Sequence, residues 1–400
     1  MEDCCEHGLQ AQITCLQDKV SILWDNAFGD ESRQFIFVGN IGAPVATSTD
    51  FLATIERDRK EYTYGAGLVN SLNPDGLFIL GDANFDVIPA RSNTPPHAFP
   101  ASYNLINQES KITLGFSDLL LKKKIWPVMG DLDYWAAQYA LRMDETYLRL
   151  FDYLPDAKRY YSMYDDKSNT EFFVLSSGIG RSYREPGVTE QQAVVYVDDN
   201  VIGSDQHTWF VQRAAASPAK NKVVVFSDPF TSIINTQFYG HRNQGPHNVD
   251  IGAPFAQWDF LGAGVKLIIN GHSGNSFHLR KGTMNIVNSS AFIRSRFGST
   301  EIPVLANPPN ITTLYGDQGW ALLYKSVLSV NNGAVTPAPE NVWQPSVGIY
   351  VNPKNEFTRI TANKAGIKVD FISFNPYVGS MQEAVASANI EYSFEISANE

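Results

Sequence analysis

Six short runs along the chain are almost continuously apolar and rich in β-branched and aromatic residues. They are FIFVGN (35–40), GLFILGD (76–82), IWPVMGD (125–131), EFFVLSS (171–177), KVVVFSD (222–228) and VKLIINGH (265–272). Runs of this length without polar alternation predict strands buried on both faces. Stretches with helical spacing lie between several of them, at 49–71, 133–151 and 206–217. Strand followed by helix, repeated, predicts an α/β fold. Most of the six runs close on Gly, Asp or Asn, at the carboxyl ends where open α/β sheets build their sites.

From about residue 283 the texture becomes β-rich, with MNIVNSSAFI, WALLYKSVLSV, GIYVNPKNEFTRITANKAGIKVDFISF and NIEYSFEIS. This predicts a second sheet packed on the first and a C-terminal strand extension. The Pro-rich TPAPENVWQP (336–345) reads as a surface loop. No internal repeat is visible. The expected organisation is a docking or oligomerisation helix over 1–32, the main domain over 33–325, and a β-rich part over 326–400 that completes the second sheet and adds a tail.

Ahead of the main domain, residues 8–24 read GLQAQITCLQDKVSILW. Their apolar positions Leu9, Ile13, Leu16, Val20 and Leu23 step by four and three, a heptad seam with Ile13 and Val20 at one core position and the leucines at the other. β-Branched residues at a with Leu at d favour parallel dimers, although two heptads do not hold a helix pair alone. The competing reading is an amphipathic helix lying on its own domain. Either way the segment is expected to dock on protein, making a homo-oligomer or an assembly subunit.

Composition narrows the function classes. Hydrophobic residues make up 44% and aromatics 12%, enough for a well-packed interior. Charged residues are only 18%, below the roughly 25% of ordinary soluble proteins, so Asn, Ser, Thr, Gln and Gly build much of the surface. A net charge of −11 argues against a nucleic-acid partner, which needs clustered Lys and Arg; the one basic run, Lys122 to Lys124, reads as a solvated strand entrance. No run approaches the roughly 18 apolar residues of a membrane span. The opening MEDCCEHGLQ has neither the basic nor the apolar region of a signal peptide, which predicts synthesis in the cytoplasm. All three cysteines, Cys4, Cys5 and Cys15, fall in the first fifteen residues; they suit unpaired thiols or an interchain contact, since with His7 their spacing matches no common zinc pattern.

Taken in order, the strand ends read GNIG (39–42), GDANF (81–85), GDLD (130–133), VVFSDP (224–229) and GHSG (271–274). This series resembles the calcineurin-like metallophosphoesterases, and more closely their purple acid phosphatase branch, whose strand ends show GDxG, GDxxY, GNHD or GNHE, VxxH and GHxH. Two connecting stretches, YLPDAKRYYSMYDDKSNTEFFVLSS and DQHTWFVQRAAASPAKNKVVVFSDPF, also look like that branch. The resemblance covers about 33 to 300, with weaker support to about 375. It implies an αββα sandwich of two mixed β-sheets flanked by helices, with two metal ions at the strand ends.

The ligand set that the resemblance implies is depleted. The bridging aspartate corresponds to Asp82. The remaining ligands of the first ion would be Asn40, Phe85 and Gly274, of which Phe85 and Gly274 have no donor atom. The second ion would take Asp82, Asp131, Ser227 and His272, with Asp228 beside the weak Ser227 ligand. The histidine that the family sets beside the leaving group is Leu132 here. Asp82, Asp131, His272 and Asp228 make a mostly oxygen set that suits at most one divalent cation, Mg, Mn or Ca, better than zinc. Asp82 and Asp131 could equally bond backbone N–H groups at helix starts. A bound ion lowers the pKa of its water and a pair clamps both oxygens of the displacement, so losing ligands and proton donor together removes each contribution.

His241 and His247, in the loop after the fourth motif, are candidates for replacement ligands; His97 and His207 are not placed for catalysis, and His278, within a strand, reads as structural. The expectation is a non-catalytic protein that reuses the fold as a structural or binding subunit. An outward-looking surface without a signal peptide suits a phage or virus virion component, assembled in cytoplasm and later exposed. The alternative is a cytoplasmic single-metal phosphoesterase. A third reading, a sugar-binding crevice, would use Phe85, Tyr134 and Trp135.

Overall fold

The computed structural model describes residues 32–39, 41, 62–81, 115–130, 151, 153–155, 159–177, 202–227, 255, 258–271, 276–281, 283–289, 292, 344–345 and 355–399. Their strands are β1 (Arg33–Val38), β2 (Gly76–Leu80), β3 (Ile125–Val128), β4 (Tyr161–Asp165), β5 (Thr170–Val174), β6 (Asn221–Val225), β7 (Val265–Asn270), β8 (Ser276–Lys281), β9 (Met284–Ser289), β10 (Gln344–Pro345), β11 (Asn355–Asn363), β12 (Gly366–Phe374) and β13 (Asn389–Ser397). The described helices are α1 at 62–71, α2 (Ser117–Leu121), α3 (Asp205–Ala216) and α4 (Met381–Ala386).

The strands form two mixed sheets, β13-β12-β11-β1-β2-β3 and β10-β8-β9-β7-β6-β5-β4. All six apolar runs contain strands, but they divide evenly: β1, β2 and β3 lie parallel in the first sheet, and β5, β6 and β7 lie parallel in the second. The C-terminal strands correct an expectation. Rather than completing the second sheet, β11, β12 and β13 extend the first, with β11 antiparallel to β1 (Phe37 opposite Thr358). Alternating patterns show which face a strand buries, not which neighbour takes its edge. The loop expected at 336–345 also gives up its last two residues, which pair as β10 with β8.

Alternation sorts the second sheet into two cores. Phe172, Val174, Val223, Val225, Leu267 and Ile269 face the first sheet, while Phe173, Leu175, Val224, Phe226 and Ile268 pack on Phe210 and Ala214 of α3. Across the sandwich, Phe172 meets Phe35 at 4.6 Å and Phe78 at 4.9 Å between ring centres; such pairs add about 0.5–1.5 kcal/mol each beyond area burial. Ile36 and Val38, on the other side of β1, are equally buried, as are Ala66, Leu68 and Val69 of the crossover helix α1. The result is the α/β sandwich of two mixed sheets with helices outside.

α3 begins where its sequence says it should. Ser204 caps it by accepting from the His207 backbone N–H at 3.0 Å. The free edge of the first sheet at β3 is closed by side chains. Pro127 has no N–H to offer, and the outward carbonyls of Ile125 and Pro127 accept from Tyr153 (2.6 Å) and Tyr161 (2.7 Å). Burial, with the Tyr153 phenol adding to it, pushes the Tyr161 phenol well above its usual pKa, which keeps it a donor. Among the described residues no helix is long and apolar enough to cross a membrane.

Candidate functional site

The parallel strands of both sheets point their carboxyl ends the same way, and four of those ends meet. Gly271, after β7, donates its N–H to the Ser227 carbonyl after β6 at 2.8 Å. Gly81, after β2, has φ +75°, a conformation that side chains with a Cβ rarely adopt. A Cβ there would overlap the Ser227 hydroxyl and come within 2.6 Å of the Gly130 Cα after β3. At Gly271 a Cβ would sit 2.7 Å from the Leu80 carbonyl oxygen. The two sheets thus approach closely at this end, where Gly271 of the second lies against the Leu80 backbone of the first and Gly81 of the first lies against the Ser227 side chain of the second.

Neighbouring ends are held by neutral polar groups. Ser289 at the end of β9 donates to the Phe37 carbonyl (3.0 Å) and accepts from the Thr358 N–H (3.1 Å), pinning β9 to the β1–β11 seam. Asn288 donates to Asn270 Oδ1 and to the Gly271 carbonyl, both at 2.6 Å. Gln206 of α3, fully buried, grips the Ser176 backbone after β5, accepting its N–H at 2.7 Å and donating to its carbonyl at 3.0 Å.

Of the expected ligand positions, Ser227 alone lies among the described residues. Asn40, Asp82, Phe85, Asp131, Leu132, Asp228, His272 and Gly274 lie outside them, as do Tyr134, Trp135, His97, His241, His247 and the seam of Leu9, Ile13, Leu16, Val20 and Leu23. Four of these nevertheless follow directly on the junction in sequence: Asp82 on Gly81, Asp131 on Gly130, Asp228 on Ser227 and His272 on Gly271. Sequence reading missed the glycines themselves. Their signal was present, since a glycine precedes the polar residue at four of the six strand ends (Gly39, Gly81, Gly130 and Gly271), and Gly marks positions where backbones approach closely.

Ser227 bears on whether a two-metal centre fits. Its side chain is fully buried and its hydroxyl makes no hydrogen bond among the described residues. On the correspondence that the resemblance implies, this neutral hydroxyl is a weak ligand in place of an imidazole, and Phe85 and Gly274 offer no side-chain donor, a set that does not fit a pair of ions. Among the described residues no group of three His, Cys, Asp or Glu comes together.

The two described histidines are structural. His207 receives the Gly203 N–H at 3.2 Å and meets the Trp258 ring edge-on at 4.8 Å. His278, on β8, is 1% exposed and bridges the sheets. Its Nε2 faces Asn285 Oδ1 (3.0 Å), its Nδ1 faces the Tyr392 hydroxyl of β13 (3.0 Å), and its ring stacks on Phe394 at 3.6 Å.

No family model and no curated protein matches the chain. Solved structures do align with it. GAP50, the anchor in the inner membrane complex of Plasmodium, is 10% identical over 92% of this chain and 89% of its own, with a TM-score of 0.47. The purple acid phosphatase PPD1 from yellow lupin (Lupinus luteus) seeds is 11% identical over 92% of this chain and 54% of its own, with a TM-score of 0.46. PhoD is 13% identical over 92% and 70%, with a TM-score of 0.41. The chain itself shows two mixed sheets, helices outside them and parallel strand ends converging at one end.

Proposed function

We propose that this protein is a non-catalytic member of the phosphatase-like architecture, working as a structural or binding subunit of a larger assembly. One observation carries the reading: side-chain donors for a two-ion centre are missing at Phe85 and Gly274, the weak substitute Ser227 sits buried in the strand-end junction, and Leu132 stands where the resemblance puts the histidine beside the leaving group. A fold does not oblige an activity, which belongs to the site. The heptad seam of residues 8–24 and the sparsely charged composition suit a homo-oligomer or assembly subunit, of which a virion component is one setting.

The second reading is a single-metal phosphoesterase using Asp82, Asp131 and His272, with Asp228 and Asn40 as weaker ligands. It is favoured by their places in sequence beside the converging strand ends. Incubation of the purified protein with an aryl phosphate and Mn²⁺ separates the two. The scaffold reading expects no turnover and no shift in melting temperature with Mn²⁺, Mg²⁺ or Ca²⁺. Turnover that disappears in Asp82→Ala overturns it and establishes the enzyme.

A further inference from the structure

We propose that β13 is a docking edge for an extended strand of a partner protein, one that carries Lys or Arg opposite Glu395 and continues the antiparallel run β11-β12-β13. This rests on the reading of the protein as an assembly subunit and names the surface through which it assembles. The observation behind it is a row of backbone groups. Ala398 donates its N–H to the Ala365 carbonyl at 2.8 Å. In the register of β12 on β13, that bond makes Ile396, Phe394 and Tyr392 the residues that bond to β12. The alternate residues, Ser393, Glu395 and Ser397, therefore turn their N–H and C=O groups away from the sheet. Lys266 takes the Ser397 carbonyl at 2.9 Å. The outward backbone groups of Ser393 and Glu395 have no partner among the described residues, and both residues are exposed.

This edge is long and stiff. β13 runs nine residues without a proline, whereas Pro127 and Pro345 interrupt the edge strands β3 and β10. On the face turned from the second sheet, Ser393 donates to Asp370, a fully buried carboxylate that also binds Arg359 at 2.9 Å. On the other face the Tyr392 hydroxyl meets His278 at 3.0 Å, and Phe394 stacks on the same imidazole at 3.6 Å. A strand fixed on both faces is already in the shape that pairing needs, which lowers the ordering cost of adding a neighbour. Its chemistry then narrows the occupant. Alternating N–H and C=O groups along an edge are matched by an extended polypeptide. Glu395 stands exposed on a chain of net charge −11, so a cation directly across is favoured and an anion is repelled. Lys368, opposite Glu395 on β12, already lies 3.6 Å from Asp370. Half-buried Phe394 suits an apolar residue next to that cation in the partner strand.

Amide exchange of the full chain, followed by NMR with and without the capped hexapeptide TVKVTV, tests this. Without peptide the Ser393 and Glu395 amides should exchange fast while those of Phe394 and Ile396 are protected; with it, the first two should slow by about tenfold or more. The acidic counterpart TVEVTV should bind about fivefold to tenfold more weakly. Glu395→Gln should weaken TVKVTV by about twofold to fivefold. Glu395→Pro, which lacks the outward N–H at a place where an edge strand tolerates proline, should abolish binding; if it fails to fold, Glu395→Gln and the amide pattern still decide. No slowing at Ser393 and Glu395, or equal affinity for the two peptides, overturns the proposal. Protection of these amides without peptide, rising with protein concentration, assigns the edge to a second copy and also overturns it. Turnover of an aryl phosphate would end the non-catalytic reading and leave the exchange pattern as it is, so the two failures are told apart.

Discussion

The two ends of the sandwich are closed by opposite means. At the strand-end side, Gly81 and Gly271 leave room for the sheets to close on the Ser227 side chain and the Leu80 backbone. At the far end long polar side chains clasp them: Arg33 to Asp165, Asn221 to the Asn363 carbonyl at 2.8 Å, and Lys266 to the Ser397 and Ala398 carbonyls at 2.9 and 2.8 Å. Clasps tolerate a changed side chain better than a junction with no spare volume does. The difference teaches where each demand falls: the far end holds the sheets in register, and the junction end sets how closely the strand ends approach.

The sharpest way to break this contrast is Gly81→Ala. The left-handed backbone and the overlap with Ser227 act together, and a loss of about 3–5 kcal/mol is expected, measured by urea unfolding. Ser227→Gly in the same chain should return part of that loss, because it removes the overlapping atoms; strict additivity in the double-mutant cycle would contradict the close approach. At the far end, Asn221→Leu removes the donor shared by the Ser168 and Asn363 carbonyls (3.2 and 2.8 Å). Stability should fall by about 2 kcal/mol, with no sensitivity to the residue at 227.

Smaller effects sharpen the comparison. Tyr161→Phe leaves the Pro127 carbonyl without its 2.7 Å donor in a buried place and should cost about 1–2 kcal/mol. Arg33→Gln loosens a clasp that is partly open to water (28% side-chain exposure), so a loss of about 1 kcal/mol or less, fading with added salt, is expected. An Arg33 effect larger than that of Gly81→Ala would reverse the ranking of the two ends.

The strands were the legible part. Continuous apolar runs mark β1, β2, β3, β5, β6 and β7 because a strand buried on both faces has no polar position to spend. α3 was legible from its spacing. β4 was not, since in YSMYD only Tyr161 is buried and the rest are half-buried or exposed, so the segment reads as an approach to β5. Of the ligand positions that the resemblance implies, Ser227 shows what a motif leaves unsaid: the serine is written in VVFSDP, but not that its hydroxyl lies against Gly81, a residue far away in the chain.

By itself the sequence determined which apolar runs are strands, which of their ends carry polar residues, and that Phe85 and Gly274 have no side-chain atom to give a metal. These are properties of local pattern and of side-chain chemistry, which no folding can add to. Only the tertiary structure decided that the six apolar runs split between two sheets, that β11, β12 and β13 return to the sheet of β1, and that three glycines and a serine meet at one end. Edge pairing and sheet-to-sheet approach depend on residues up to hundreds of positions apart, such as Phe37 and Thr358, and no window along the chain contains both.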